Sequence, residues 1–289
     1  MTVLIVTNEA SGCGRAKGLG AAIAAALKAS DSAPEVRDAR LCTAGECFAA
    51  FDAVVIVGGD GTLHHLLRGL AASGAPVYHV PAGTENLFAR EFGMGADASA
   101  LRDALRRRRE LPVDLATIAG RPFALMFSIG PDAGVIHRLH NVRKRAAGHL
   151  MYVRPVLQEL GRPHLPRVRV VVDGGAVVEG ERGVLLVANC RQYARRLNPA
   201  RDADMRDGVL DIVFFPARSS AGVIAWGARC ARGAQFAGRG ALRLRGREVE
   251  ITALDRAPWQ CDGEAGGWLG PGEQTRITLH PAALRVLCP

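Results

Sequence analysis

The sequence has no apolar run of 18 residues, so nothing in it predicts a membrane-spanning helix. The first six residues, Met1 to Val6, are strand-like and lack the basic region, apolar core and small-residue cleavage site of a signal peptide. The seven cysteines include no C-x-x-C pair and are odd in number, which favours free thiols over a zinc site. Together these absences predict a cytoplasmic protein.

Lysine is scarce, because Lys17, Lys28 and Lys144 are the only lysines of a chain with a net charge of +9. The positive excess is therefore almost all arginine, which is scattered through every segment. A basic face attracts polyanions, but a scattered excess argues against nucleic acid as the partner. An anionic membrane surface or ATP would satisfy the same electrostatics.

The chain is organised around one stretch, Ala53-Val-Val-Ile-Val-Gly-Gly-Asp-Gly-Thr62. Its aliphatic residues at 54–57 predict a strand buried on both faces, as a parallel sheet requires. The glycines that follow permit a sharp turn and close approach of a ligand, since they carry no Cβ. An apolar, helix-spaced segment begins at Thr62, so the turn would point backbone N–H groups and a helix N-terminus at a phosphate.

Asp60 lies in the middle of this turn. A carboxylate among phosphate-binding amides repels phosphate unless Mg²⁺ or a transferable proton lies between them. The alternative is an ordinary strand–helix turn with the aspartate as a cap. The whole Gly-Gly-Asp-Gly-Thr run after a buried strand favours the phosphate interpretation.

Two similar strand–turn–helix units surround this stretch. A strand at 2–7 and a helix at 16–29 enclose the turn 8–14, and a strand at 75–80 and a helical 87–92 enclose the turn 81–86. Three such units predict a parallel sheet with right-handed crossovers. Their turns would all lie at the carboxyl edge, where open α/β sheets bind ligands.

Short strands predominate from about residue 111 onward. They are predicted at 113–119, 123–129, 167–172, 176–180, 183–188, 209–215, 242–244, 248–253, 260–261 and 275–279. Helices interrupt them at about 132–161 and 219–232. We therefore predict an open α/β domain over 1–115 and an antiparallel, mostly β domain over 116–280, with about 280–289 free to return to the first. A cleft between two such domains is a common place for a site.

The separate turns find one explanation in a known family, because the sequence resembles the diacylglycerol kinase catalytic family, which includes bacterial soluble lipid kinases and sphingosine kinases. The resemblance covers essentially the whole chain. It rests on Asn8 with Ser11-Gly12, Gly58-Gly-Asp-Gly-Thr-Leu63, Pro81-Ala-Gly-Thr84 with Phe88-Ala-Arg90, Gly130-Pro-Asp-Ala133, Asp207-Gly-Val-Leu-Asp211 and Asp262-Gly-Glu264. It implies an NAD kinase- or diacylglycerol kinase-like α/β nucleotide-binding domain followed by an antiparallel β-sandwich-like domain.

The resemblance also implies an ATP site with catalytic Mg²⁺ at Asp60. The residues that would bind the nucleotide are Asn8, Ser11, Gly12, Gly58, Gly59, Asp60, Gly61, Thr62, Leu63, Thr84 and Asn86. A second, structural Mg²⁺ would be held by the carboxylates of Asp204 and Asp207 and the carbonyl of Val209, since hard oxygen ligands suit such an ion. A plain Asp-Gly turn is the alternative there.

Asp262 and Glu264 flank Gly263. If the segment is extended, alternation directs both carboxylates to the same side. The resemblance makes this pair the general base that accepts the proton of a lipid hydroxyl, beside Asp60 as the third catalytic residue. Which of the two carboxylates takes the proton stays open, and a surface hairpin turn is the alternative for the motif.

One residue departs from the family pattern. Many members have Asn-Asp after Gly-Thr-x, where this chain has Asn86-Leu87. The missing acid would leave Asp60 less supported, unless a residue such as Glu85 takes its place.

The resemblance implies an ATP- and Mg²⁺-dependent lipid kinase, most simply one that makes phosphatidic acid from diacylglycerol. Peripheral membrane contact would then be required, because the substrate lies in a bilayer. An NAD kinase-like enzyme is a second interpretation, and a catalytically weak lipid-binding or regulatory protein, motivated by Leu87, is a third. A homodimer through an edge strand of the second domain is also open.

Overall fold

The computed structural model describes residues 1–12, 14–29, 33–43, 45–140, 149–238 and 240–289. The chain divides into two compact units. The first comprises Met1–Leu115 and Pro281–Pro289, and the second comprises Ala116–His280.

The first unit alternates strands and helices, as expected for an α/β domain. Its elements are β1 (Thr2–Thr7), α1 (Arg15–Lys28), β2 (Ala33–Asp38), β3 (Ala53–Gly58), α2 (Asp60–Ser73), β4 (Val77–Pro81), α3 (Leu87–Glu91) and α4 (Ala98–Arg107), followed by β5 (Glu110–Ile118), which continues into the second unit.

Strands predominate in the second unit. Its elements are β6 (Arg121–Phe123), β7 (Met126–Ile129), α5 (Pro131–His140), α6 (Val153–Gly161), β8 (Arg167–Val172), β9 (Gly175–Ala188), β10 (Leu210–Pro216), α7 (Ser220–Ala231), β11 (Leu242–Gly246), β12 (Glu248–Ala253), β13 (Ala257–Cys261), β14 (Glu264–Leu269) and β15 (Gln274–Leu287), whose last residues belong to the first unit.

The sheet of the first unit is parallel, which confirms the prediction. Its strands lie in the order β2-β1-β3-β4, and β15 adds a parallel contact to β4 at Val286. Every residue of β3 is buried, as its unbroken aliphatic run requires. The buried face of α2 has leucines at helical spacing, namely Leu63, Leu66, Leu67 and Leu70.

The strand pairs within the second unit are antiparallel. Besides the short pair β5–β6, they follow two paths, β14-β13-β7-β9-β10-β11 and β9-β8-β12-β15. Strand β9 belongs to both, since its first part pairs with β8 and its last part with β10 and β7. The apolar core of the second unit includes Phe127, Leu185, Ile212 and Ile251. The fold class is therefore the predicted one, α/β followed by a β-sandwich-like arrangement.

Three predicted strand boundaries are wrong. The single strand at 123–129 is interrupted at Ala124 and Leu125, whose N–H groups donate to the side chain of Asp262 instead of a neighbouring strand. The strands at 176–180 and 183–188 are one strand, because Gly180, with φ of 94°, forms a bulge without ending it. The last strand continues from 279 to Leu287, and β14 was not predicted.

The predicted helical stretch 132–161 contains α5 and α6, and its residues 141–148 lie outside the described part of the chain. Among the described residues, no helix is both long and apolar enough to span a membrane.

Candidate active site

Three turns of the first unit lie together, the ones that follow β1, β3 and β4. The N–H of Asn8 donates to the carbonyl of Val57 at 3.0 Å, and the N–H of Ala82 donates to the carbonyl of Gly58 at 2.8 Å. The side-chain amide of Asn8 donates to Oγ1 of Thr62 at 3.0 Å. The structure therefore gathers at one sheet edge the turns that the sequence places apart.

Glycine is required in these turns by contacts between backbones. A Cβ on Gly12 would lie 2.3 Å from the carbonyl oxygen of Ala82, and a Cβ on Gly83 would lie 2.6 Å from Cα of Gly59. Gly12 also has a positive φ of 61°, which suits glycine. Packing of one turn on another thus accounts for part of the glycine pattern. At the start of α2, the N–H groups of Thr62 and Leu63 donate to the carbonyl of Gly59 at 3.0 and 3.4 Å. The N–H groups of Asp60 and Gly61 have no acceptor among the described residues and can receive a phosphate.

Asp60 is held by the backbone of α3. Its Oδ2 accepts from the N–H of Leu87 at 2.9 Å and its Oδ1 from the N–H of Phe88 at 3.1 Å. Leu87 stands where the family pattern has an acid, and its side chain is buried. It supports Asp60 through its backbone N–H. Glu85 pairs with Arg90 at 3.4 Å. Each oxygen of Asp60 keeps a second lone pair that can bind a cation.

His79 lies beneath this turn and was missed by the sequence analysis. Its ring is fully buried, and Nε2 lies 3.0 Å from the carbonyl oxygen of Gly58. Burial lowers the pKa of His79, although the charge of Asp60 acts in the opposite direction. The neutral ring therefore donates from Nε2 and fixes the residue that begins the turn. A lone histidine inside an aliphatic strand gives no sequence signal for such a role.

Two of the residues predicted to bind the nucleotide, Leu63 and Asn86, have side chains that stabilise the fold. Leu63 is buried in the core, so only its backbone is available to a ligand. The side chain of Asn86 accepts from the N–H of Gly83 at 2.7 Å and donates to the Gly83 carbonyl at 3.0 Å, which closes the turn 83–86. By contrast, Thr84 is exposed and Ser11 is half-buried.

Asp262 has a different environment, in the turn between β13 and β14 of the second unit. It is 7% exposed, and its carboxylate accepts three backbone hydrogen bonds, from Ala124 at 2.8 Å, Leu125 at 2.8 Å and Met126 at 3.0 Å. These bonds join the turn to the segment before β7. The side chain of Asp262 therefore stabilises the backbone conformation of residues 124–126.

Glu264 begins β14 and is half-buried. Both Asp262 and Gly263 have positive φ angles, 50° and 80°. The segment is a tight turn, so the condition for the predicted same-side arrangement of the two carboxylates is not met. Of the two, Glu264 is the more accessible.

A chain of hydrogen bonds runs from this turn into α5. The N–H of Gly263 donates to Oε1 of Gln260 at 2.8 Å, and Nε2 of Gln260 donates to Oγ of Ser128 at 2.8 Å. Ser128 Oγ donates to Oδ2 of Asp132, which also accepts from the hydroxyl of Tyr193 at 3.1 Å.

Asp132, a half-buried residue, ends this chain of hydrogen bonds. Its Oδ1 is buried and has no hydrogen-bond partner among the described residues. Burial raises the pKa of Asp132, and burial together with the neighbouring Asp132 raises the pKa of Tyr193 well above its ordinary value. Asp132 belongs to the family motif Gly130-Pro-Asp-Ala133, but the sequence alone predicts no role for it.

Arginines surround the loop predicted to hold a second Mg²⁺. Asp204 forms a two-point pair with Arg206, at 3.0 and 3.1 Å, and the hydrogen bond from that guanidinium lowers the pKa of Asp204. Asp207 pairs with Arg245 and accepts from the N–H of Val209 at 3.2 Å. Within the described residues no three His, Cys, Asp or Glu side chains are grouped as metal ligands. A divalent cation at Asp204 and Asp207 does not fit unless it displaces guanidinium groups.

The chain matches two family models. Residues 2–118 match the model of the diacylglycerol kinase catalytic domain, and residues 126–288, more than half of the chain, match that of the YegS C-terminal NAD kinase β-sandwich-like domain. The chain therefore belongs to the diacylglycerol kinase catalytic family, in its form with the YegS-type C-terminal domain. Membership places it among kinases.

Its curated relatives include a diacylglycerol kinase of Mycobacterium tuberculosis, 28% identical over 264 residues, which covers 88% of this chain and 82% of the relative. A diacylglycerol kinase of Bacillus subtilis is 25% identical over 233 residues, covering 80% and 76%. A solved structure of a diacylglycerol kinase from Bacillus anthracis matches all of this chain and 96% of its own, with a TM-score of 0.67 at 17% identity. The structural match supports the fold.

Proposed function

We propose that the protein is an ATP- and Mg²⁺-dependent lipid kinase whose phosphate acceptor is diacylglycerol. The observation that carries the proposal is the convergence of three glycine-containing turns around Asp60, with Asn8 bonded to Thr62 and the start of α2 beside them. Membership of the diacylglycerol kinase catalytic family supports the reaction class. The names of the curated relatives support the acceptor.

The first unit would bind the nucleotide. The amides at the start of α2 would receive phosphate oxygens, and the exposed hydroxyl of Thr84 would add a contact. The carboxylate of Asp60 fits Mg²⁺, because such sites combine one or two carboxylates with substrate phosphates. The ion would neutralise charge on the triphosphate. The backbone bonds from Leu87 and Phe88 fix the direction of the carboxylate before nucleotide binds.

Glu264 would be the general base. A base needs an available lone pair at the substrate hydroxyl, and Asp262 already uses its carboxylate for three buried backbone N–H groups. In the reaction, the lipid hydroxyl would give its proton to Glu264 while its oxygen bonds to the γ-phosphorus. The bond from that phosphorus to the bridging oxygen would break, and ADP would leave. Asp262 would hold the turn that carries Glu264.

The acceptor is tested by incubating the protein with radiolabelled ATP and Mg²⁺ against diacylglycerol, sphingosine, a polyprenol and NAD. We expect label in phosphatidic acid from diacylglycerol. Label found only in NAD would contradict a lipid kinase and support the NAD kinase-like interpretation. Absence of transfer to every acceptor, together with binding to lipid vesicles, would instead support a lipid-binding protein.

A further inference from the structure

Helices α6 and α7 of the second unit carry exposed aliphatic side chains. On α6, Val153, Val156 and Leu157 are 51%, 37% and 64% exposed, and on α7 Ile224 is 56% exposed. Val156 and Leu157 follow Val153 by three and four residues and therefore lie on its side of the helix. Single exposed aliphatics are ordinary, but several on two adjoining helices form a patch that points to a binding partner.

The two helices meet where α6 ends and α7 begins. The hydroxyl of Ser220 donates to the carbonyl of Leu160 at 2.5 Å. Leu157 lies three residues before that contact and Ile224 four residues after it, so each is within about 6 Å of it along its helix axis. Leu157 shares a helix face with Leu160, and Ile224 shares one with Ser220, because each pair is three or four residues apart. The exposed aliphatic side chains therefore flank the contact between the two helices as one surface. We call it the α6–α7 patch, made of Val153, Val156, Leu157 and Ile224.

Exposed arginines flank the patch at both helices. They are Arg154 in α6, Arg162 directly after it, Arg218 just before α7 and Arg232 directly after it. Within the described part of the chain none of these four forms an ion pair, whereas arginines elsewhere in the unit, such as Arg206 and Arg243, pair with carboxylates. Arg232 donates to the carbonyl of Ala228 at 3.1 Å, but no carboxylate among the described residues neutralises any of the four charges, which can therefore attract an anionic partner.

No carboxylate opposes these charges on either helix. The only acid in α6 is Glu159, and α7 has none. Glu159 is 1% exposed and pairs with Arg138 at 3.0 Å and His164 at 2.7 Å. The surface of the two helices is accordingly apolar and basic.

We propose that the α6–α7 patch docks the protein on an anionic lipid bilayer. Aliphatic side chains would enter the boundary between headgroups and acyl chains, and the arginines would contact anionic headgroups. A bilayer fits better than a second copy of this chain, since a two-fold contact places a patch against itself and would bring its unpaired arginines together. The docking rests on the proposed function, because a kinase that acts on a bilayer lipid needs contact with the bilayer. Binding to vesicles can nevertheless be measured without turnover.

Co-sedimentation with large unilamellar vesicles tests the docking. The vesicles contain phosphatidylcholine alone or phosphatidylcholine with phosphatidylglycerol, at low and high salt. We expect the unmodified protein to bind the vesicles that contain phosphatidylglycerol and to bind less at high salt. The double variant Leu157→Ser/Ile224→Ser should lower the partition coefficient about tenfold or more, and Arg154→Gln/Arg218→Gln should lower it and weaken its salt dependence.

The matched control is Val36→Ser/Leu41→Ser, which removes two exposed aliphatics from the first unit, 51% and 78% exposed, and should leave vesicle binding unchanged. Equal vesicle binding by the apolar double variant and the unmodified protein would overturn the docking. So would a dimer of the unmodified protein that the same variant converts to monomers without any change in vesicle binding. Activity on diacylglycerol in detergent micelles should be the same in all variants, and its absence from the unmodified protein would contradict the proposed function alone.

Discussion

Asp60 illustrates how a residue can be supported by backbone where a side chain is expected. Leu87 offers no carboxylate, yet its N–H and that of Phe88 bind both oxygens of Asp60. Since only the backbone is needed, the side chain at 87 is free to pack in the core. The departure that weakened the sequence interpretation therefore leaves Asp60 well oriented.

The two carboxylates of the Asp262–Glu264 turn should respond differently to neutral substitution. Glu264→Gln should lower kcat about 100-fold or more, because an amide cannot accept the proton of the substrate hydroxyl. Asp262→Asn should lower the free energy of unfolding by about 2 kcal/mol or more, since the amide cannot accept all three buried N–H groups. Urea unfolding and steady-state kinetics in detergent micelles measure both effects.

The reverse result would assign the proton to the other residue. If Asp262→Asn is as stable as the unmodified protein but inactive, and Glu264→Gln keeps its kcat, then Asp262 is the base.

Asp132 should make stability depend on pH. A carboxyl whose pKa is higher in the folded state than in the unfolded state favours folding at low pH, and this contribution is lost as pH rises through the folded pKa. Asp132→Asn has no proton to lose. Its Tm relative to the unmodified protein should therefore rise as the pH is raised above about 4, as measured by calorimetry. A difference in Tm that is constant across this range would show that burial does not raise the pKa of Asp132.

At the scale of elements, the loop before β10 and the antiparallel strand pair β10–β11 are organised by arginine. Asp211 is fully buried and pairs with Arg243 at 2.8 Å and Arg245 at 3.4 Å. Removal of one partner leaves buried charge poorly compensated, so Arg243→Gln should lower the free energy of unfolding by about 3 kcal/mol. A chelator should leave the Tm of the unmodified protein unchanged. Chemical unfolding and thermal unfolding with and without EDTA measure these effects.

The matched control for that variant is Arg276→Gln, which breaks an exposed pair with Glu250 and should cost less than about 1 kcal/mol. A large fall in Tm on chelation, restored by Mg²⁺, would mean that a cation displaces the guanidinium groups at Asp204 and Asp207.

Element prediction succeeded where periodicity and burial coincide. The buried aliphatic run of β3 and the leucine spacing of α2 each specify one structure. It was wrong for the strand at 123–129, because the partner that captures the N–H groups of Ala124 and Leu125 is Asp262, far along the chain. Such a long-range side-chain contact leaves no local pattern.

For the whole molecule, composition and element order were enough to predict an α/β region followed by an antiparallel β region. The turns of the first region could also be placed at one sheet edge, because parallel topology brings carboxyl ends together. The sequence did not predict the contacts and distances that depend on packing between separate segments. The close approach of Gly12 to Ala82, the support of Gly58 by His79 and the capture of Asp262 by backbone amides all depend on side chains from separate segments.

The most direct test of a lipid kinase built around Asp60 is transfer of labelled phosphate from ATP to diacylglycerol in detergent micelles, measured for the unmodified protein and for Asp60→Asn. We predict Mg²⁺-dependent formation of phosphatidic acid by the unmodified protein. The variant should fold and lose at least about 100-fold in turnover, because it lacks the charge that would hold the cation in the proposed reaction. Near-normal turnover by folded Asp60→Asn would contradict the metal role of Asp60. No labelled lipid from the unmodified protein would contradict the proposed reaction.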